Sequence, residues 1–213
     1  MIKLIVFDCW GTLFTSSQRP HPFAVFAEKL GHDVADRAYL KQFEAHIMLD
    51  ADDVGTHIRS LLQALRIEVT TELVGELQDI LLGSIAAQAP YPETVRVLDN
   101  LTGTYRLALL SNTFVEGFTE LRRKYPIEKW FELEVLSFEK HMIKPDIGLY
   151  NFIVETSSLQ RDEILMVGDN YYDDVVAATE AGLSAVLLDR RNRYPDIADR
   201  KINNLDELVA YLS

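Results

Sequence analysis

Residues 4–14 read LIVFDCWGTLF, and this stretch decides the fold class of the chain. Its first four residues form a short apolar run, which is typical of a parallel strand buried on both faces. The run stops at Asp8, where the chain turns polar. In an open parallel sheet, ligands bind beyond the carboxyl ends of the strands. Asp8 is therefore either a functional carboxylate or, as aspartate often is, a turn residue.

Four more apolar runs follow, and helical patterns separate them. The pattern in Pro92–Leu101 is one of these, with proline in the first turn and Val95, Leu98 and Leu101 on its expected buried face. Such alternation implies right-handed crossovers and a doubly wound α/β sheet of the Rossmann type. The five predicted strands are Leu4–Phe7, Leu107–Leu110, Leu133–Leu136, Ile164–Val167 and Ala185–Leu188.

The first and second predicted strands are too far apart for one crossover. Residues 15–89 carry several amphipathic patterns, so we expect a helical subdomain inserted into a core of residues 1–14 and 90–213. Segments rich in Ser, Pro and Gln, Thr15–Pro22 and Gln88–Pro92, are the expected hinges. The predicted apolar faces comprise Phe23, Phe26 and Leu30, then Leu40, Phe43 and Ile47, then Ile58, Leu61 and Leu65, then Leu73, Leu77 and Leu81.

Composition limits the classes of partner. The chain has 213 residues, of which 48% are hydrophobic, and a formal net charge of -12. This charge disfavours nucleic acids and anionic membranes, and no apolar run reaches the roughly 20 residues of a membrane span. The single cysteine, Cys9, fits a reducing compartment. We expect a cytoplasmic monomer or homodimer acting on a small molecule, with Arg190, Arg191 and Arg193 as solvated surface.

Polar residues follow three of the predicted strands. Asp8 follows the first, Ser111 and Asn112 the second, and Asp169 the fourth. Carboxylates brought together at one sheet edge would repel each other unless a cation lay among them. Oxygen ligands with positions open to water suit Mg²⁺, which is the cofactor that the sequence predicts.

Four segments in this order resemble the haloacid dehalogenase-like hydrolases. The resemblance spans nearly the whole chain and implies a Rossmann-like core, a mobile helical cap, an aspartyl-enzyme intermediate and usually Mg²⁺. The segments are Phe7–Leu13, Leu110–Asn112, Lys144–Asp146 and Gly168–Asn170, the last followed by Asp173 and Asp174.

The resemblance implies a role for each matched residue, and chemistry gives a reason for most. Asp8 would be the nucleophile, because a carboxylate can form an acyl phosphate that water later cleaves. Ser111 and Lys144 would join it in catalysis, Ser111 by donating a hydrogen bond to the transferring oxygens and Lys144 by offsetting the charge of the nucleophile and of the phosphoryl group. The remaining assignments are Thr12 and Asn112 for substrate binding, Asp8, Asp169 and the Trp10 backbone carbonyl for the metal, and Asp173 and Asp174 for orienting its waters.

Trp10 departs from the pattern of the family's phosphatases. Most of them have a second aspartate there, which protonates the leaving group and then activates water. Indole cannot exchange protons near neutral pH, and such a group typically contributes about 10²- to 10⁴-fold in rate. His21 and His141 are candidate replacements. Otherwise the substrate would need a good leaving group, as in an acyl or aryl phosphate.

Two alternatives to a phosphatase remain open at this stage. The family's haloacid dehalogenases also have an aromatic residue at the position of Trp10, and a tyrosine at that of Tyr150. They lack the metal aspartate, however, so Asp169 favours Mg²⁺-dependent phosphoryl chemistry. The other alternative is a non-catalytic protein that binds phosphate or a partner. The sequence does not specify the substrate.

Overall fold

The computed structural model describes residues 1–17, 20–197 and 200–212. Six strands form one parallel sheet in the order β5-β4-β1-β6-β7-β8, and β2 pairs with β3 in a separate antiparallel ribbon. The strands are β1 (Leu4–Phe7), β2 (Phe14–Ser16), β3 (Gln88–Pro90), β4 (Arg106–Ser111), β5 (Leu133–Leu136), β6 (Ile164–Gly168), β7 (Ser184–Leu188) and β8 (Lys201–Ile202).

Strand β1 lies in the middle of the sheet and is buried on both faces. Ile5 and Phe7 pack into one hydrophobic cluster, whereas Leu4 and Val6 pack into another. This explains why the strand reads as a continuous apolar run. Helices cover the two faces, namely α5 (Thr94–Leu101), α6 (Val115–Lys124), α7 (Ile127–Trp130), α8 (Ser137–Lys140), α9 (Ile147–Ser157), α10 (Ala177–Glu180) and α11 (Leu205–Leu212).

Four further helices lie between β2 and β3 in the chain. They have side-chain N-caps at His21, Asp36, Asp53 and Thr70, each accepting a backbone N–H of the first turn. Their apolar faces form a third hydrophobic cluster, to which Phe114 of the core also belongs. The helices are α1 (Pro22–Lys29), α2 (Arg37–Ile47), α3 (Val54–Ala64) and α4 (Thr71–Ala86).

The predicted doubly wound α/β fold is confirmed, and all five predicted strands are present with bounds within one residue. Three short strands, β2, β3 and β8, were not predicted from the sequence. Its assignment of Val95 to a buried face was wrong, because Val95 is 38% exposed and Val97 is buried instead. Part of the predicted hinge Thr15–Pro22 lies outside the described residues, namely Gln18 and Arg19. The same holds for three residues of the predicted core, Ala198, Asp199 and Ser213.

No helix in the described part of the chain is both long and apolar enough to cross a membrane.

Candidate active site

Three carboxylates meet at the carboxyl edge of the sheet. Phe7 is in register with Leu109 and Val167, so the residues after β1, β4 and β6 emerge side by side. Asp8, Asp169 and Asp174 each offer an oxygen, and these oxygens lie within 4.8 Å of one another. The expectation that carboxylates converge here is thus met in the geometry, with Asp174 as a full member of the cluster.

Lys144 neutralises part of this cluster. Its buried Nζ donates to Asp8 Oδ1 at 2.7 Å and to Asp174 Oδ1 at 2.6 Å. The Asn112 side chain holds the backbone of Lys144, accepting from its N–H at 2.8 Å and donating to its carbonyl at 3.3 Å. Asn112 therefore positions the lysine here, while its assigned contact with substrate remains a prediction.

Burial and the neighbouring charges together shift the pKa values of the groups in the cluster. Burial, against the opposing charge of Lys144, raises the pKa of Asp8 to about 7, and the neighbouring carboxylates of Asp174 and Asp169 add to it. Burial likewise raises the pKa of Asp169 to about 6, although Arg193 opposes it. Burial would lower the pKa of Lys144, but the Asp174 and Asp8 carboxylates raise it well above its usual value. A further cation would favour ionised carboxylates.

Two oxygens of the loop after β1 are left unpaired. Asp8 Oδ2 and Thr12 Oγ1 are buried and have no hydrogen-bond partner among the described residues. Buried polar atoms of this kind are rare, and such an atom is usually the partner of a bound water, ion or ligand. Ser111 is also buried at this edge, and its Oγ donates to the Asn112 carbonyl at 3.4 Å.

Hard carboxylate oxygens with an unpaired atom fit a divalent cation such as Mg²⁺. Asp8 and Asp169 would hold it, as the sequence analysis predicted, and the geometry adds Asp174. The assignments of the Trp10 carbonyl as a ligand and of Asp173 and Asp174 as residues that orient bound waters remain predictions.

Glycine allows the backbone to approach the carboxylates. Gly11 has a φ of +87°, and a Cβ there would overlap the carboxyl group of Asp169. A Cβ at Gly168 would overlap the carboxyl group of Asp174. A side chain at either position would push the cluster apart.

The Trp10 side chain lies beside this cluster with its only donor already engaged. Its Nε1 donates to Thr113 Oγ1 at 3.1 Å, and its ring meets that of Phe14 edge-on at 6.5 Å. The indole therefore forms a wall and offers no proton to a leaving group.

Asp173 and Asp174 lie in one π-helical turn, Tyr171–Val176, whose N-cap is Asn170. Asn170 Nδ2 donates to Asp173 Oδ2 at 2.8 Å, and its backbone N–H donates to Asp174 Oδ2 at 3.0 Å. The buried Tyr150 hydroxyl donates to the Asp173 carbonyl. The Tyr150 hydrogen bond thus stabilises the position of this turn. Turns of π-helix are frequent at functional sites.

Helix α2 contributes two charged residues that the sequence analysis did not single out. Lys41 Nζ donates to Glu44 Oε2 at 2.8 Å, to Asp173 Oδ2 at 3.2 Å and to the Lys144 carbonyl at 3.1 Å. Burial raises the pKa of Glu44, although its bond with Lys41 opposes this. The pattern of the helix predicted only its apolar face and gave no signal for these contacts.

The assignment of the arginine cluster to solvated surface was wrong for Arg190, whose side chain is 13% exposed, whereas Arg193 is exposed but still pairs with a site residue. Arg190 donates to Glu93 Oε1 at 2.6 Å and to the Thr12 carbonyl at 2.9 Å, and it stacks on Tyr91. Arg193 Nη2 donates to Asp169 Oδ2 at 2.5 Å and to its carbonyl at 2.7 Å. These partners lie far away in sequence, so only the fold reveals them.

A cavity of about 330 Å³ opens beside the carboxylates and reaches between the sheet edge and the helices of residues 15–89. Aromatic side chains from both parts line it, namely Trp10, Phe14, Phe23, Tyr91 and Phe114. Its polar lining consists chiefly of His21, Glu44, Asp169, Arg190, Arg191 and Arg193.

The two histidines considered as proton donors are placed differently. His21 lines the cavity, and its Nδ1 accepts the Phe23 N–H at 3.3 Å as the N-cap of α1. His141 is largely exposed and pairs with Asp50 at 2.8 Å. Among the described residues that line the cavity, His21 and Glu44 are therefore the candidate donors, and His141 is not one of them.

The model of the haloacid dehalogenase-like hydrolase family matches residues 2–182, which is most of the chain. The chain belongs to this family of hydrolases. The family resemblance seen in the four sequence segments is thereby confirmed. The match includes every residue that the sequence analysis assigned to the site.

Relatives and solved structures agree on the fold but carry different activities. A glyceraldehyde 3-phosphate phosphatase of Methanothermobacter thermautotrophicus is 29% identical, with 98% of this chain and 95% of the relative covered. A HAD phosphatase of Thermococcus onnurineus is 22% identical with a TM-score of 0.67, covering 100% of this chain and 98% of its own. The L-2-haloacid dehalogenase of Xanthobacter autotrophicus is 19% identical with a TM-score of 0.68 and the same coverage. Similarity of fold alone therefore does not separate phosphatase from dehalogenase.

Proposed function

We propose that the protein is a Mg²⁺-dependent phosphohydrolase that acts on a small phosphorylated metabolite through an aspartyl-phosphate at Asp8. The observation that carries the proposal is the cluster of Asp8, Asp169 and Asp174, whose oxygens lie within 4.8 Å of one another. A bound cation would weaken a carboxylate that attacks carbon, but it would help one to approach an anionic phosphoryl group. The cluster therefore favours phosphoryl transfer.

In this proposal Asp8 is the nucleophile and Lys144 offsets the charge around it. Lys144 is already 2.7 Å from Asp8 Oδ1, whereas the buried Oδ2 has no hydrogen-bond partner among the described residues and would be the oxygen that attacks phosphorus. Thr12 Oγ1, also unpaired, and Ser111 would donate to phosphoryl oxygens. Mg²⁺, when bound by Asp8 and Asp169, supplies positive charge that stabilises the phosphoryl oxygens.

We also propose that residues 15–89 act as a cap over the site. Lys41 on α2 bonds to both Asp173 and the Lys144 carbonyl, so this segment touches the catalytic edge directly. Together with the carboxyl edge of the sheet, this segment lines the cavity, and Trp10 forms part of the same lining. A closed cap would exclude water during phosphoryl transfer, and its inner face would select the substrate.

The test is a panel of phosphorylated metabolites, including glyceraldehyde 3-phosphate, assayed with Mg²⁺ and with a chelator. We expect Mg²⁺-dependent phosphate release that Asp8→Asn abolishes, because the amide is a poor nucleophile of nearly the same shape. Asp79→Asn, which changes an exposed carboxylate on α4, is the matched control. Mass spectrometry of trapped enzyme should find the phosphoryl group on Asp8.

Haloacid dehalogenation is the second candidate function, and the observation that favours it is the aromatic residue Trp10. Halide leaves without a proton, so a dehalogenase has no need of an acid at this position. The same panel therefore includes 2-haloacids. Halide release that Mg²⁺ does not increase, with no phosphate release, would replace the phosphatase proposal. Folded protein that is inactive on both classes would indicate a non-catalytic role.

A further inference from the structure

Aromatic side chains form much of the wall of the cavity beside Asp169. Trp10 and Phe14 come from the loop and strand after β1, Phe23 comes from α1, and Phe114 is the N-cap residue of α6. Aromatic faces arranged in this way suit a ring, which gains from offset or edge-on contacts beyond its burial. The aromatic faces themselves make no strong hydrogen bonds to a polyol, whose hydroxyl groups would have to reach the polar residues that line the rest of the cavity.

The cavity is also large enough for a ring. Its volume is about 330 Å³, whereas a cavity of about 150 Å³ accepts benzene. Trp10 lines the same cavity as Asp169, and its indole N–H is committed to Thr113. A ring that enters between Trp10 and Phe23 therefore meets apolar surface.

The chemistry of the leaving group leads to the same class of substrate. An alkoxide must be protonated as its bond to phosphorus breaks, but a phenolate is stable enough to leave as the anion. Trp10 stands where a proton donor would be useful, and it cannot supply a proton. The same residue thus removes the acid and provides an aromatic wall.

We propose that the substrate is an aryl phosphate, a monoester whose leaving group is a phenolate. This inference rests on the proposed phosphatase function. An oxygen of Asp8 bonds to phosphorus while the bond from phosphorus to the aryl oxygen breaks, and the phenolate leaves with the electron pair. Water then bonds to phosphorus as the bond to Asp8 breaks. This restores the Asp8 carboxylate and releases dihydrogen phosphate, which keeps both protons of the water.

Three esters separate recognition of the ring from dependence on the leaving group. Phenyl phosphate has both the ring and the good leaving group, benzyl phosphate has the ring with an alkoxide leaving group, and glycerol 3-phosphate has neither. The measured quantities are kcat/KM, which reports cleavage of the ester bond, and the inhibition constant of each poor substrate against phenyl phosphate. All assays use the wild-type protein with saturating Mg²⁺.

We expect kcat/KM for phenyl phosphate to exceed that for benzyl phosphate by at least about 10²-fold, the contribution that a general acid would otherwise make. Benzyl phosphate should nonetheless inhibit more strongly than glycerol 3-phosphate, because its ring fills the aromatic cavity. If benzyl phosphate is cleaved nearly as well as phenyl phosphate, a donor such as His21 or Glu44 is at work and the inference is overturned. Stronger inhibition by glycerol 3-phosphate would also overturn it.

The outcomes distinguish the inference from the function on which it rests. Mg²⁺-dependent cleavage of glycerol 3-phosphate at least as fast as that of phenyl phosphate would refute the inference and leave the phosphatase function intact. Failure of all three esters, together with an inactive metabolite panel, would refute both.

A variant tests the aromatic wall itself. Phe23→Leu should weaken phenyl phosphate binding about two- to twelvefold, the effect of losing one ring contact, and should affect glycerol 3-phosphate less. Phe152→Leu is the matched control, since Phe152 is also half-buried but packs against the core on α9, away from the cavity. Equal weakening of both esters by Phe23→Leu would contradict a ring-binding role.

Discussion

Lys144 offers a direct test of the charge balance in the site through the Lys144→Met variant. In the wild-type protein its Nζ lies 2.7 Å from Asp8 and 2.6 Å from Asp174, and the three side chains are 4%, 8% and 1% exposed. Methionine is an unbranched side chain one atom shorter than lysine, so it keeps most of the apolar stem but removes the charge. Two buried carboxylates then face each other and Asp169 without the compensating cation.

Removing one partner from a buried ion pair typically costs about 3–5 kcal/mol. For a chain of this size, each kcal/mol shifts the melting temperature by about 2–4 °C, so metal-free Lys144→Met should melt about 6–20 °C below the metal-free wild type. Protonation of Asp8 would limit the loss. Mg²⁺ should restore much of this lost stability. A ligand at 100 times its Kd raises the free energy of unfolding by about 2.7 kcal/mol, and the variant has more uncompensated negative charge with which to bind the ion.

Thermal melts of both proteins in chelator and across a Mg²⁺ titration measure these effects. Lys129→Met is the control, because the Lys129 side chain is 70% exposed and its loss should change stability by less than about 0.5 kcal/mol. The variant should show a larger stabilisation by Mg²⁺ than the wild type. Equal Mg²⁺ shifts in the two proteins, or a metal-free variant as stable as the control, would refute the account of Lys144 as a counter-charge to the metal-binding carboxylates.

Three other substitutions probe the metal and the missing acid. Asp169→Ala should abolish Mg²⁺ binding measured by calorimetry while the protein stays folded, and unchanged binding would remove the main reason for preferring phosphoryl chemistry. Arg193→Gln should raise Mg²⁺ affinity a few-fold, because the half-exposed pair with Asp169 is worth at most about 1 kcal/mol and competes with the ion; a fall in affinity would mean that Arg193 positions Asp169 instead. Trp10→Asp should raise kcat/KM for alkyl phosphates more than for aryl phosphates, by up to about 10²- to 10⁴-fold, with melts run in parallel because the indole packing and its bond to Thr113 are lost. A stable, Mg²⁺-bound Trp10→Asp protein with no such gain would show that the missing acid does not limit the reaction.

The sequence could predict the sheet because burial on both faces leaves a local signature. Leu4–Phe7 and Ile164–Gly168 are entirely buried, so each reads as an apolar run without knowledge of its partners. The missed strands are too short for this signal, since β8 has two residues and β2 has three. The burial of Val95 was predicted wrongly because an apolar residue can lie on the exposed face of a helix at little cost.

The site could be predicted only where its residues follow a strand or a family segment. Asp8, Asp169 and Lys144 satisfy that condition, and the structure brings them together with Asp174. Arg190 could not be predicted, because Glu93 lies 97 residues before it and Tyr91 is equally remote. The Arg190 guanidinium is charged, yet the aliphatic stem and the contact with the Tyr91 ring bury most of the side chain. The rule that charged residues lie on the surface therefore fails for this arginine.

Lys41, on helix α2 of the proposed cap, contacts the segments that carry the charged residues of the site. It bonds to the carbonyl of Lys144, while the Nζ of that same Lys144 holds Asp8. It also bonds to Asp173, whose carbonyl accepts from Tyr150 beneath the π-helical turn. Any opening of α2 away from the sheet edge must therefore break bonds to the segments that carry Lys144 and Asp174. Opening of the proposed cap would remove the Lys41 ammonium from the sheet edge, so we expect closure to add one positive charge beside Asp173 at the same time as it excludes water from the cavity.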